Sequence, residues 1–432
     1  MNSWLEHRFG LEAAGSNVRT EFLAGFATFL AMAYIMFVNP AILSQAGMDF
    51  GATFVATCLA AAIGTALMGL AANYPVALAP GMGLNAYFAF VVVPAAGGSW
   101  QIALACVFIS GVLFFLLSVT PFREWLINSI PLNLKYGISA GIGLFLAIIG
   151  LRAAGIVVDH PATLVTLGDL KSTTTLLACL GLLLIVALYI HRVPGAIIIG
   201  VLTVTALAVW LGLQEFKGVA SIPPSIGPTL LQLDVAGSLQ LAFVTIIFTF
   251  LLVDLLDTAG TLIAVSEHGN LLDEHGRLQR LRPALLADSS ATVIGALLGT
   301  STTTSYIESA AGIQEGGRTG LTAVVVAVLF LLGIFLAPLA ETVPGYATAP
   351  ALIFVAILMT SGLAKLSWED PTDYIPAMLA AILMPLTYSI ATGIGIGFVA
   401  YTLLKALSGR FAEVNMAVAL IAVLYVVKTV FA

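Results

Sequence analysis

The chain predicts an all-α, polytopic membrane fold, and three observations carry that prediction. Charged residues make up only 9 % of its 432 residues and hydrophobic residues 60 %. A soluble domain carries roughly a quarter charged residues, and even a large core would leave a surface that needs charge. Apolar runs of spanning length, about 20 residues each, recur from Phe22 almost to the last residue. The polar stretches between them are short, the longest being 266–283.

Several classes fall away on the same grounds. The net charge of -6 rests on 22 acidic and 16 basic residues, too few to mark a nucleic-acid partner. Cys58, Cys106 and Cys179 all lie in apolar runs, which argues against a disulfide framework or a thiolate metal site. His268 and His275 share the loop SEHGNLLDEHGRLQRLRP, but no supporting ligand pattern accompanies them, so no metal is expected. No GxxxxGK[ST], HExxH or GxSxG motif occurs, so neither a cofactor nor an enzyme is indicated. The N-terminus MNSWLEHRFGLEAAGSNVRTE lacks a signal-peptide pattern, and the first apolar run is long enough to span.

Taken in order, helices are expected over 22–43, 51–72, 99–117, 134–153, 173–190, 195–213, 240–264, 284–298, 319–337, 347–363, 390–407 and 413–430. Two more segments, 75–93 and 299–314, read as broken, since each opens on Pro, small or β-branched residues before turning helical. Residues 373–388 form either a short span or the first part of a kinked element, divided from 390–407 near Pro385. The expected count is about fourteen crossings. Basic residues then fall on one side: Arg8, Arg19, Arg123, Lys135, Arg192, Arg277, Arg280 and Arg282. That side is the cytoplasm by the positive-inside rule, and the N-terminus with it. Lys405 and Arg410 fit the same side only with a changed count; otherwise they occupy an exposed loop of either side.

No linker divides the chain. The two broken segments hold corresponding places, third in halves covering 1–220 and 235–432. Interrupted spans at matching positions point to an inverted-repeat transporter and to its binding site. Seven crossings per half would invert the second copy.

Polar and acidic groups inside apolar runs mark a substrate or ion pathway. In YPVALAPGMGLN, Pro75 and Pro80 oppose a continuous helix, while Gly81 and Gly83 permit a tight turn and close approach. An extended stretch followed by a half-helix from near Gly81 is expected, its free N–H groups facing the site. Asn85 brings donors and an acceptor; alternatively it glues helices together across a Gly/Pro kink. In the matching TSTTTSYIES, the β-branched run from Thr300 through Thr304 favours extended backbone. Ser305 would cap a following helix and set Glu308 at its third position, as a site group or as a purely structural capping box.

Asp254 and Asp257 lie three residues apart on one helical face, too close for both to be charged in low dielectric without a partner. Asp254 is the expected ligand or proton contact and Asp257 a gating or holding group, although the reverse is equally readable. Phe88, one turn from Asn85, is the best placed of the phenylalanines to stack on a flat ligand, but core packing is the ordinary role for any of the 24. The small-residue faces Ala24/Thr28/Ala31 and Ala56/Ala60/Gly64 allow close helix approach.

Arg19-Thr20-Glu21 leading into FLAGFATFLAMAYIMFVNPAIL, GMGLNAYFAF at 81–90, LLVDLLDTAGTLIAV at 251–265 and TSTTTSYIESAAGI at 300–313 resemble the AzgA-type purine permeases. These are a branch of the nucleobase–cation symporters, which also include xanthine and uracil permeases. The resemblance runs through nearly the whole chain. It implies fourteen segments in two inverted repeats, with segments 1–4 and 8–11 forming a core that moves as an elevator. Segments 5–7 and 12–14 would form a gate, which would also mediate a homodimer. It implies proton-coupled import of adenine, guanine or hypoxanthine across a bacterial-type inner membrane, with no cofactor. Asn85, Asp254 and Glu308 would bind substrate, with Phe88, Gly83 and Thr304 alongside, and Asp257 with the other carboxylates would serve proton coupling or gating. A passive facilitator or an anion transporter of the same architecture remains open, although inward-aimed carboxylates repel an anion. A membrane enzyme or a purely structural protein accounts for these acids less well.

Overall fold

The computed structural model describes residues 2–120, 129–269 and 280–431. His275, Arg123 and Arg277 fall outside the described residues, and so does the side chain of His268. Among the described residues, ten helices are long and apolar enough to cross a membrane, and four shorter apolar helices accompany them. The chain is a multi-pass helical membrane protein, and its outward faces suit a lipid surround: Leu183 and Leu407 are 69 % and 83 % exposed.

A short helix α1 (Asn2–Phe9) precedes α2 (Val18–Met32), α3 (Ile35–Ser44) and α4 (Phe50–Leu67). Strand β1 (Leu78–Pro80) leads into the half-helix α5 (Met82–Tyr87). Next come α6 (Trp100–Val119), α7 (Leu132–Ala153), strands β2 (Val157–His160) and β3 (Leu164–Leu167), α8 (Thr173–Ile190) and α9 (Ala196–Trp210). The second half holds α10 (Leu241–Gly269), α11 (Leu281–Leu298), β4 (Thr303–Ser305), α12 (Ser309–Gln314) and α13 (Gly320–Gly333). It closes with α14 (Gly345–Thr360), α15 (Pro371–Leu386), α16 (Ile390–Leu407) and α17 (Met416–Phe431).

Two sequence expectations need correction, an unbroken first span and the placing of Lys405. The spans are all-α as expected, with two short strand pairs beside them, β1 with β4 and β2 with β3. The β2–β3 pair is a hairpin with mostly exposed side chains, where the sequence reading had only a connection between spans. The first span is two helices, since the chain breaks at Ala33–Tyr34, where i→i+3 bonds Met36→Ala33 and Phe37→Tyr34 tighten the turn. Of the two forms left open for 373–388, the structure shows a short helix of its own over Pro371–Leu386, folded back on α16. Tyr388 reverses the chain at φ 52°, and Gly393 and Gly397 then lie against Met384 and Ala380.

Lys405 is the second correction. Far from an exposed loop, it is 1 % exposed and sits among Asp373 Oδ1 at 2.8 Å, Glu413 Oε2 at 2.8 Å and Asp370 Oδ2 at 3.5 Å. Burying an ammonium is tolerable only with such partners.

The helices pack in two groups. In one, α4 packs against α13, α11 and α3, with α2 on α13 and α6 on α11. In the other, α7 is covered by α14 and α15, with α8, α9, α16 and α17 outside them. Small residues set these distances, as the sequence anticipates: a Cβ at Gly312 would stand 2.1 Å from Thr28 Oγ1, and one at Gly64 2.7 Å from Ala291 Cβ.

Candidate functional site

The two broken spans meet. Strands β1 and β4 run antiparallel, with Leu78 opposite Ser305, Ala79 opposite Thr304 and Pro80 opposite Thr303. Gly81 N–H donates to the Thr302 carbonyl and Tyr306 N–H to the Ala77 carbonyl, each at 2.9 Å. In antiparallel pairing these bonds alternate, so Leu78, Pro80 and Thr303 turn their backbone groups outward from the ribbon. Inside a membrane each outward group needs a protein partner. Thr65 supplies both for Leu78, its hydroxyl accepting from the N–H at 2.9 Å and donating to the carbonyl at 3.0 Å. Pro80 has no N–H, and its carbonyl accepts from the Tyr306 hydroxyl at 2.5 Å. The Thr303 carbonyl accepts from the Thr292 hydroxyl at 2.8 Å.

The ribbon leads into two helix starts, one at each of its ends. Gly81, in extended backbone, is the N-cap of α5, and Asn85 follows in the next turn with no exposed surface. The Ser301 hydroxyl donates to Asn85 Oδ1, which leaves the Asn85 amide donors without a partner among the described residues. On the other side α12 begins at Ser309 with Glu308 as its N-cap, and no side chain caps it. The capping-box expectation fails here: Ser305 belongs to strand β4, and the Glu308 carboxylate instead accepts from the Tyr34 hydroxyl at 2.6 Å.

Helix α10 brings the two aspartates. Asp254 is 1 % exposed, with its Oδ2 3.0 Å from the Thr292 hydroxyl of α11. Asp257 lies near Glu308, and Tyr306 lies near both. Thr258, next to Asp257 in the chain, donates to Asp288 Oδ2 at 2.7 Å and lies 3.0 Å from the Thr304 hydroxyl. Thr304 is thus a link from strand to helix.

Two expected members pack as scaffold. Phe88 has no exposed surface and sits in the main apolar cluster, at the start of a π-helical turn over Phe88–Val92. Gly83 lets α5 approach α7, because a Cβ there would stand 2.4 Å from Ile142 Cγ2.

Four participants escaped the sequence reading. Tyr34 reaches Glu308 from the break in the first span. Asp288 is a fully buried acid that also accepts from the Ser305 hydroxyl at 3.1 Å. Thr292 joins Asp254 to the ribbon. Asn39 donates to Thr57 at 2.7 Å and to Thr300 at 2.8 Å, tying α3 and α4 to the residues before β4. Asp288 alone had a signal: LLADSSATVIGALLG is an acid in an apolar run, as Asp254 is.

Comparison with known proteins agrees with this architecture. The transmembrane domain of the cyanobacterial bicarbonate transporter BicA superposes with a TM-score of 0.68 at 17 % identity, covering 87 % of this chain and 97 % of that one. A structure of SLC26A9 superposes at 0.66 and 11 % identity, covering 94 % and 69 % respectively; likeness at this distance speaks for fold alone. Sequence relatives are much nearer. The adenine permease AdeP of Escherichia coli is 48 % identical over 427 residues, 99 % of this chain and 96 % of AdeP. The guanine/hypoxanthine permease PbuO of Bacillus subtilis is 45 % identical over 428 residues, 97 % of this chain and 99 % of PbuO. The Xan_ur_permease model, described as the permease family, matches residues 19–396. With most of its length matched and full-length relatives far above 30 % identity, the chain belongs to the permease family of xanthine/uracil type, close to the AzgA-type purine permeases, and is a transporter rather than an enzyme.

Proposed function

We propose that this protein imports adenine, guanine or hypoxanthine together with a proton, by alternating access at the β1–β4 ribbon. The observation that carries the reading is the pairing of opposite hydrogen-bonding capacities there. Asn85 offers unpartnered amide donors, and Glu308 offers an acceptor beside the second helix start. A buried donor without a partner costs free energy that a ligand acceptor recovers. A neutral purine carries both ring acceptors and N–H donors on one rigid plane. The named substrates of AdeP and PbuO lie in the same class.

The packing supports a mechanism by relative movement of the two helix groups. Helices around the ribbon form the transporting core, and α7–α9 with α14–α17 the gate; the glycine contact between α5 and α7 supports a sliding boundary between them. Fourteen crossings in two inverted repeats (1–220 and 235–432), a cytoplasmic N-terminus and a gate-mediated homodimer belong to the same reading. Asp254, Asp257 and Glu308 share the proton-coupling role. An anion carrier of this fold is disfavoured, because these carboxylates would repel its substrate.

Uptake of radiolabelled hypoxanthine, in cells lacking their own purine permeases, tests this directly. Unlabelled adenine, guanine, xanthine and uracil serve as competitors. Protonophore-sensitive accumulation blocked by a purine is expected, and abolished in Asn85→Ala. Correctly inserted protein that moves no purine would sink the assignment and favour an anion substrate.

A further inference from the structure

We propose that Thr292 is a positioning residue that couples the protonation of Asp254 to the β1–β4 ribbon. The inference rests on the proton-coupled reading above and adds how the proton reaches the ligand-facing strand.

The hydrogens available to Thr292 fix the direction of its contacts. Thr292 is fully buried, and its hydroxyl makes two short contacts: 2.8 Å to the Thr303 carbonyl and 3.0 Å to Asp254 Oδ2. A hydroxyl has one hydrogen, and a carbonyl oxygen has none to give. The Thr303 carbonyl faces outward from the ribbon, so no strand partner replaces Thr292. The Thr292 hydrogen therefore lies toward Thr303, and the hydrogen in the second contact comes from Asp254. The arrangement is a relay in which the Asp254 acid donates to Thr292 and Thr292 donates to Thr303.

Release of the proton upsets the relay. The O–H bond of the Asp254 acid breaks, its electron pair stays on Oδ2, and the proton leaves to water. One hydroxyl hydrogen now faces two acceptors, and the charged one attracts it more strongly. The hydroxyl turns to Asp254 and the Thr303 carbonyl is left bare in the protein interior, which favours a shift of the strand. That strand continues into Thr304, bonded to Thr258, and is preceded by Ser301, which holds Asn85.

Other ionisable groups surround Asp254. On its own helix there is Asp257; α11 contributes Asp288, and the turn between β4 and α12 contributes Tyr306 and Glu308. Cys106 on α6, Tyr87 on α5, Tyr401 and Lys405 on α16, and Tyr425 on α17 occupy the remaining elements packed on α10. Asp254 shares its hydroxyl partner with an outward ribbon carbonyl.

Infrared spectroscopy of the ligand-free, full-length protein over a pH series tests the relay without any purine. A carboxylic-acid carbonyl band that disappears in Asp254→Asn is expected, and it should be displaced in Thr292→Val and Thr292→Ala but not in Thr292→Ser. In proteoliposomes, the stimulation of purine uptake by a pH gradient should fall about tenfold without the hydroxyl, as for loss of one hydrogen bond to an ionisable group, and return in Thr292→Ser. Absence of an Asp254-dependent band at every pH, or a band unmoved in both hydroxyl-free variants, would overturn the proposal. The expected bands in a protein that moves no purine would support the relay and overturn the purine reading alone.

Discussion

Tyr34 shows how much one side chain can set in this site. Its hydroxyl, delivered by the break in the first span, is a protein donor to Glu308 Oε1, so it decides which carboxylate oxygen is left for a ligand. Tyr34→Phe keeps the ring in its buried slot and removes only that bond. Uptake by this variant should show a KM raised about tenfold, the order of one lost hydrogen bond, at unchanged protein level. Unaltered kinetics would mean that Glu308 is oriented otherwise. Asp288 works in the same way: in Asp288→Asn, the Thr258 and Ser305 hydroxyls no longer have a carboxyl oxygen each to donate to. Purine binding should weaken, and a binding titration of the purified variant would tell.

At the scale of elements, backbone contacts leave less room than side-chain contacts. A Cβ at Gly320 would lie 2.0 Å from the Gly69 carbonyl oxygen, whereas one at Gly83 meets the Ile142 methyl. Gly320→Ala must therefore push α13 off the turn Met68–Ala72 that continues α4 and should abolish properly folded protein in size-exclusion profiles; Gly83→Ala should fold and lose transport. The charged clasp behaves differently. Arg410 and Lys405 hold the Glu413 carboxyl down at about 2, and Thr372 and Arg410 keep Asp370 below the usual carboxylate range. Carboxylates depressed in the folded state add stability above their unfolded values, near 4, and lose it as pH falls toward the folded ones. Lys405→Met should thus lower Tm at neutral pH, with the gap to wild type closing on acidification from about pH 4 toward 2. The broken third span was legible because Pro75, Pro80 and Gly81 write the break into the local sequence. Its partner was legible from a run of threonines. The break at Ala33–Tyr34 has no such residue, and the nearest proline is Pro40; tertiary bonding to Glu308 accompanies it. Glu21 was equally silent, though it is fully buried and accepts from the N–H groups of Arg318, Thr319 and Thr322 at the start of α13. A lone acid at the end of an apolar run does not announce which helix it will cap.

Across the whole molecule, hydropathy told that the chain crosses a membrane many times, because lipid punishes any unsatisfied backbone. The sorting of helices into two packing groups was not in the residues themselves; it entered the sequence reading only through family resemblance. Nor could the pairing of one broken span with the other be read from local pattern, since it joins distant parts of the chain. The Pro80 carbonyl and the Tyr306 hydroxyl that seals it are 226 residues apart. At about 5–20 residues per second of synthesis, the first strand waits on the order of ten seconds or more for its mate. Thr65 can serve Leu78 during that wait, being 13 residues away on the preceding helix, but Ala77 and Gly81 have no such local stand-in at their ladder positions. Ribosomal output, then, leaves a half-made transporter with bare backbone inside the bilayer. Residues 1–220 expressed alone should be cleared by membrane proteases within minutes in a pulse–chase, and co-expression of 235–432 should protect them; a long-lived lone half would show that the ribbon is dispensable for quality control.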